Sequence, residues 1–383
     1  MTSRLKHLDA VRGLACLQVL LLHGLGTFRP GLVDGPATSV ERAIRTSPLR
    51  LLYDGDLAVF VFFVLSGLVL TAPFARDAAR PATVLTARLL RFLVPALMAV
   101  ALGAFTLLVL GPVAPAAGAR IGSGWLLGGL PGPPALIALL RDATLNALAI
   151  GYEDLSPFTA ILPLSPSATS TNPPLWTLSI EMQGALLLLI LTLVRRHAPR
   201  LGRPALAMAA ILCLRSPLLC FLVGHAIARS EIPRSARLAV ALLAVPVAAI
   251  DPALLEPLPL LPGLEPDLIR AGWTAMLLSP LVLQSPWLAA ALSRPSLQRL
   301  GALSFPLYLV HWPMLFGPGA AALLLAEPVV GLDIAAAIGL ATGLAAAVLV
   351  ALPFQAIDRW SQSTSRWLRA PARHGSFSTT LAR

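Results

Sequence analysis

Residues 57–74 read LAVFVFFVLSGLVLTAPF, a run without a single charged side chain. A helix rises about 1.5 Å per residue, so this run covers roughly 27 Å, close to the hydrocarbon thickness of a bilayer. It is a membrane-spanning helix. Arg76, Arg80, Arg88 and Arg91 follow it. Because arginine accumulates in cytoplasmic loops, this break is expected to be cytoplasmic.

Working outward from that anchor, similar spans are expected at about Leu8–Gly26, Phe92–Val113, Leu175–Val194, Leu238–Ile250, Ile269–Ala291, Leu300–Leu325 and Leu332–Leu352. The piece Ala205–Ala228 is broken by Arg215, Ser216 and Pro217, and reads as two short tilted helices. The loop Gly151–Pro174 has Glu153 and Asp154 but no basic residue, so it is expected outside, as is the acidic loop Asp251–Asp267. If so, Ala135–Ile150 cannot be a simple crossing and reads as interfacial or re-entrant. The expectation is an all-α polytopic bundle of about ten transmembrane helices with both termini cytoplasmic. Arg4 to Lys6 before an apolar run looks like a secretory signal, but Asp9 and Arg12 intrude and no small-x-small site follows. A retained first helix is the better reading.

Composition agrees. Of 383 residues, 57% are hydrophobic and only 12% charged, against about a quarter charged in soluble domains. The mean hydropathy is +0.79. A net charge of +11 would suggest nucleic acid in a soluble chain, but the arginines cluster at the ends of apolar stretches, so nucleic acid is not an expected partner and membrane lipid is. Cys16, Cys213 and Cys220 lie in apolar stretches without CxxC spacing and read as packing residues. No internal repeat supports an inverted-repeat transporter.

Ionisable groups inside spans are costly and usually mark a site. Arg12 and His23, 11 residues apart, share one helix face about 16 Å apart, with Arg12 nearer the cytoplasm. Asp9 is placed to pair with Arg12. Ser66-Gly67 either permits close helix packing or leaves a hydroxyl and bare backbone beside a substrate. In WTLSIE, Trp176 is expected at the external interface, with Glu181 about a turn deeper. Tyr308 and His311 in LSFPLYLVHWP share a face near mid-bilayer.

Taken in order, LDAVRGLACLQVLLLH (8–23), FFVLSG (62–67), RLLRFLVPAL, PLWTLSIEMQ and SFPLYLVHWP resemble the membrane acyltransferase-3 family, bacterial proteins that acylate surface sugars and related hydroxyl acceptors. The resemblance implies that Arg12 and His23 are essential, and it carries Ser66, Gly67 and Glu181 onto family positions. Met182 stands where a second glutamate is usual, and Gly184 and Ala185 replace an aromatic pair, which touches the acceptor side most. One acyltransferase-3-like transmembrane domain over residues 1–357 is implied. Residues 358–383 read as a basic, disordered cytoplasmic tail. An extracytoplasmic esterase-like domain, which some members carry, is not expected here, so the bundle and its loops are expected to handle the acceptor.

Transfer from a thioester to a hydroxyl needs a base, a role that suits a histidine, and groups for the developing oxyanion. His23 is the expected base, with Arg12, Asp9, Glu181 and His311 in the catalytic set. Ser66, Gly67, Trp176 and Tyr308 are expected at the substrate. Acyl-CoA, by family default acetyl-CoA, is the expected co-substrate, its phosphates met by Arg76, Arg80, Arg88 and Arg91. The acceptor is a cell-envelope saccharide or related hydroxyl compound, and the location the inner membrane. No bound cofactor and no metal are expected, since no Gly-rich phosphate loop, HExxH or GxSxG is present. The alternative is a proton- or anion-coupled transporter, or a flippase of a glycan or lipid precursor, with Asp9, Arg12, His23, Glu181 and His311 lining the path.

Overall fold

A computed structural model describes residues 3–77, 80–130, 132–153, 156, 164–250 and 265–369. Among these, every regular element is helical. In chain order the α-helices are α1 (Ser3–Phe28), α2 (Ser39–Arg45), α3 (Gly55–Asp77), α4 (Pro81–Leu110), α5 (Val113–Ile121), α6 (Gly124–Leu127), α7 (Leu136–Arg141), α8 (Trp176–His197), α9 (Gly202–Leu212) and α10 (Leu218–Arg229). They continue with α11 (Arg234–Ala248), α12 (Pro266–Gln284), α13 (Pro286–Leu292), α14 (Pro295–Met314), α15 (Ala320–Val330) and α16 (Leu332–Arg369). A π-helical segment, Asp142–Ile150, prolongs α7, and another, Leu315–Gly319, joins α14 to α15.

Among the described residues six stretches are long and apolar enough to cross a membrane: one in each of α1, α3, α4 and α16, Pro173–His197, and the continuous Pro295–Val330. The pair α12 and α13, bent by 81°, makes a seventh if it is one span. The protein is a multi-pass membrane protein, and the described residues hold fewer full-length spans than the ten or so expected from hydropathy. The difference lies in short elements. Helices of 11, 12 and 15 residues, α9, α10 and α11, reach only about 16–22 Å, short of a hydrocarbon core of about 30 Å. The helical stretch 136–150 is as short as α11.

Two helices distant in sequence form the centre. Gly13 of α1 lies against the backbone of Gly301 of α14, where a Cβ would find Gly301 N at 2.7 Å. Three residues on, Cys16 Sγ donates to the Ser304 carbonyl at 3.2 Å. A constant offset along both chains means that α1 and α14 run parallel, in register, at the close approach small residues allow.

Prolines shape α14. Pro306 and Pro313 lack an N–H, so the carbonyls four residues earlier, of Ala302 and Leu309, lose their helical donors. Side chains from elsewhere replace them. Gln355 Nε2 donates to Ala302 at 3.5 Å, and Asn172 Nδ2 donates to Leu309 at 2.7 Å.

Asn172 reaches Leu309 because the segment before α8 dips into the bundle. Ser170, Thr171 and Asn172 are buried, and Thr171 Oγ1 donates to the Val100 carbonyl at 3.2 Å. Asp142, buried on the π-helical segment, accepts from Tyr152 and from Ser170, both at 2.7 Å, and so ties this segment to residues 136–150. The expected external loop Gly151–Pro174 is thus, where described, partly an inserted strap. Residues 154–155 and 157–163 lie outside the described residues, as do 251–264 of the second expected external loop.

Two expectations are corrected here. α4 begins at Pro81 rather than near Phe92, so Arg88 and Arg91 are helix residues and not loop cations. Helix α16 runs on to Arg369, so residues 358–369 are not a disordered tail. They hold because Asp358, 4% exposed, forms an ion pair with Arg91 at 2.6 Å. Residues 370–383 lie outside the described residues.

Candidate active site

A cavity of about 730 Å³ opens among α1, α3, α4, α8, α14 and α16. Its walls carry three arginine–carboxylate pairs. On α1, Arg12 meets Asp9 at 3.2 Å, one helical turn apart. Arg88 of α4 meets Glu181 of α8 at 2.5 Å, both side chains only 14% exposed. Arg91 meets Asp358 and lies over the Phe305 ring at 4.6 Å. Ser66 Oγ donates to the other oxygen of Glu181 at 2.5 Å. Glu181 is therefore held by a cation and a hydroxyl together. Removing either charged partner would leave the other buried without its counterpart, which is costly.

A second cavity, about 270 Å³, lies further along the same helices. On α4 the large cavity touches Val84 to Phe92 and the small one Gly103 to Leu110; on α14 the corresponding stretches are Gly301 to Tyr308 and Trp312 onward. The two are thus separated along the bundle axis. The small cavity is walled by Trp125, Trp312 and Phe316, with Ser167, Ser170 and Thr171 as its polar side. Trp312 stacks on Phe316 at 4.2 Å and on Trp125 at 6.1 Å.

Between the cavities stands a histidine pair. His23 Nδ1 and His311 Nε2 are 2.6 Å apart with the rings nearly coplanar in orientation, 6° between planes. His311 Nδ1 is 2.7 Å from the Tyr308 carbonyl. A carbonyl only accepts, so His311 Nδ1 carries the proton and its Nε2 is bare. His23 Nδ1–H must then be the donor to it. His23 Nε2 is then the ring atom left open, and no described group bonds to it. The edges of Trp125 and Trp312 flank the His23 ring at 5.6 and 5.2 Å. Tyr308, 5.6 Å from His311, lines the large cavity on the other side.

The structure thus brings His23 and His311 together, and separately joins Ser66, Glu181 and Arg88. Asp9 and Arg12 are on the large cavity wall, about four and three turns from His23, and do not meet it. Tyr308 lines that cavity and donates to the Pro174 carbonyl at 2.6 Å.

Other expected residues sit elsewhere. Gly67 faces α10, where a Cβ would strike the Phe221 carbonyl, while Gly224 presses on the Val64 carbonyl in return. It packs against α10 and is not among the residues that line the large cavity. Trp176 packs against Phe63 at 6.0 Å. Phe63 is eight residues into α3, roughly 12 Å from its start, so Trp176 is inside the bundle rather than at an interface, carried there by the inserted strap. Arg80 donates to the Arg369 carbonyl at 3.2 Å and does not line the cavity. The Arg76 side chain lies outside the described residues.

Several contributors escaped the sequence reading. Trp312 adjoins His311 and was visible as such, but Trp125 has no motif around it. Asp142 is an acid within an otherwise apolar piece, a signal that was available. Among the described residues no group of three or more His, Cys, Asp or Glu side chains is arranged to hold a metal.

The family model for an acyltransferase domain, of the acyltransferase-3 type, matches residues 5–355. The chain belongs to that family of membrane acyltransferases. No curated protein and no solved structure matches it.

Proposed function

We propose that this protein is an inner-membrane O-acyltransferase moving an acyl group, acetyl by family default, from cytoplasmic acyl-CoA to a hydroxyl of a cell-envelope saccharide or related acceptor. One observation carries the reading: a histidine whose tautomer is fixed by a second histidine, with Nε2 free, standing between two cavities of different chemistry. The basic cavity suits a phosphate-bearing donor. The aromatic cavity, with hydroxyls on one side, suits a sugar ring, whose apolar face packs on aromatic surface while its hydroxyls hydrogen-bond at the edge.

In this mechanism His23 Nε2 takes the acceptor hydroxyl proton as the oxygen attacks the thioester carbonyl. His311 keeps His23 Nδ1 engaged, so that the lone pair stays on the attacking side. Collapse of the tetrahedral intermediate breaks the C–S bond, and the proton on His23 passes to the departing CoA thiolate. Acyl ester and free CoA result, and the base is regenerated.

The test is whether purified protein releases free CoA from acetyl-CoA only when acceptor is supplied, together with mass spectrometry of envelope polysaccharide for a one-acyl mass difference. Transport or flipping without thioester consumption would overturn the reading. So would full turnover by His23→Ala.

A further inference from the structure

Among the described residues the large cavity is lined by six arginines and three carboxylates. Each carboxylate already has its own arginine: Asp9 holds Arg12, Glu181 holds Arg88, and Asp358 holds Arg91. The three arginines left, Arg359, Arg366 and Arg369, have no carboxylate partner among the described residues. All three are on the last turns of α16. Arg88 and Arg91, the arginines that sequence alone assigns to the donor phosphates, are mostly neutralised where they stand.

The arrangement on α16 is not that of a topology signal alone. Positions 359, 366 and 369 are seven and three residues apart, which places them on one helical stripe with Gln355 and Gln362, facing the cavity. Trp360 and Trp367, 55% and 74% exposed, form a neighbouring stripe turned by about 100°, the placement of aromatic anchors at a membrane interface. The segment thus buries Asp358, Ser361 and Ser365 against the bundle, carries its guanidinium groups on the flank that lines the cavity, and turns its tryptophans away from protein. Arg359 and Arg366 are exposed, and Arg369 Nε is buried without a partner. Three uncompensated cations converging on a concave wall call for a polyanion, and a guanidinium fork fits phosphate oxygens two at a time.

We propose that Arg359, Arg366 and Arg369 form the phosphate-binding wall of the donor cavity, holding the nucleotide end of acyl-CoA while the thioester arm extends toward Tyr308 and the histidine pair. This rests on the acyl-CoA reading above. It adds a binding element beyond residue 355, where the family match ends.

The experiment is calorimetric titration of CoA, 3′-dephospho-CoA and inorganic pyrophosphate into protein held in nanodiscs of uncharged phosphatidylcholine, so that lipid anions do not compete. The variants are Arg359→Gln and Arg366→Gln, exposed positions where folding is not at stake, and the triple Gln variant, with thermal melting as the fold check. The expected result is that the native protein prefers CoA to 3′-dephospho-CoA, that each single variant weakens CoA by about tenfold, and that the triple variant no longer discriminates the two. CoA affinity and discrimination unchanged in the single and triple variants would overturn the wall while leaving the donor reading intact. Pyrophosphate binding lost in the triple variant, with no CoA binding or turnover in the native protein, would uphold the phosphate wall and overturn the donor. Absence of all three from the native protein would overturn both.

Discussion

His23 and His311 are 288 positions apart in the chain, and so are Cys16 and Ser304, which meet about two turns earlier on the same pair of helices. The shared offset is what parallel helices in register produce, and the glycine contact at Gly13 and Gly301 sets it. The site is therefore built by a helix crossing some ten residues, or about 15 Å, away from the imidazoles.

The first prediction concerns the pair itself. His311 touches the base and not the reacting atoms in the mechanism proposed, so it is a positioning residue. His311→Leu should lower kcat by about 10² to 10⁴, the range seen when a base loses its orientation or tautomer, with donor KM changed much less. His311→Gln, whose side-chain oxygen can still accept from His23 Nδ1–H, should recover part of the loss. Steady-state kinetics on the three proteins decide this, and equal defects in Leu and Gln variants would reduce His311 to a packing residue.

The second prediction tests the crossing. A Cβ on Gly301 would strike the Asp9 carbonyl, and backbone on both sides leaves it nowhere to go. Gly301→Ala should cost about 1–3 kcal/mol by overpacking and should lower activity by displacing His311 from His23. Gly124, which has nothing near its Cβ position, is the matched control. Thermal melting in detergent should show a lower midpoint for Gly301→Ala and little change for Gly124→Ala.

The third prediction separates Arg88 from donor binding. Its guanidinium and the Glu181 carboxylate are both largely buried and 2.5 Å apart, so removing either partner strands the other. Arg88→Gln and Glu181→Gln should each destabilise by about 3–5 kcal/mol, and the double variant by less than the sum. A double-mutant cycle on unfolding measures the coupling. Additive losses would mean that the pair contributes little and would return Arg88 to the donor.

These cases show what the sequence carried. The Leu57–Phe74 span was legible because hydropathy sums along one helix and needs no partner. His23 and His311 were both singled out, but their meeting depends on the relative direction and register of two helices at opposite ends of the chain, which no local pattern encodes. Arg88 and Arg91 read as loop cations because a charge near the start of an apolar run looks the same whether water or a carboxylate from another helix satisfies it. Residues 358–369 read as a tail for a related reason. Only one stripe of that helix faces protein, and its composition there is polar. The inserted strap before α8 was hidden because a Ser/Thr/Asn/Pro-rich stretch has the composition of a surface loop, and its burial draws on partners distant in sequence, among them the Leu309 carbonyl freed by Pro313.

The fourth prediction addresses the small cavity. Trp125 and Trp312 flank His23 and wall that cavity. If the acceptor ring packs there, Trp125→Leu should raise acceptor KM by roughly three- to tenfold, the range expected for about 0.5–1.5 kcal/mol of aromatic contact. Donor KM should stay constant. Trp125 is the cleaner probe, since Trp312 adjoins His311 in the chain. An unchanged acceptor KM would move the acceptor out of this cavity.

The last prediction fixes the direction of the bundle. Arg80, Arg195, Arg196 and Arg200 lie at the ends of α3, α4 and α8, and the positive-inside bias puts that end in the cytoplasm. α1 and α3 are joined at the opposite end by residues 29–54, so α2 should be external. The native background is quiet, because Cys16, Cys213 and Cys220 are all buried. Arg80→Cys and Val40→Cys, both at exposed positions, should therefore give single clean signals with a membrane-impermeant maleimide on intact cells or spheroplasts. Val40→Cys should label from outside, and Arg80→Cys only after the membrane is opened. The reverse pattern would turn the bundle over, place the arginine cavity away from cytoplasmic acyl-CoA, and remove the donor side proposed for it.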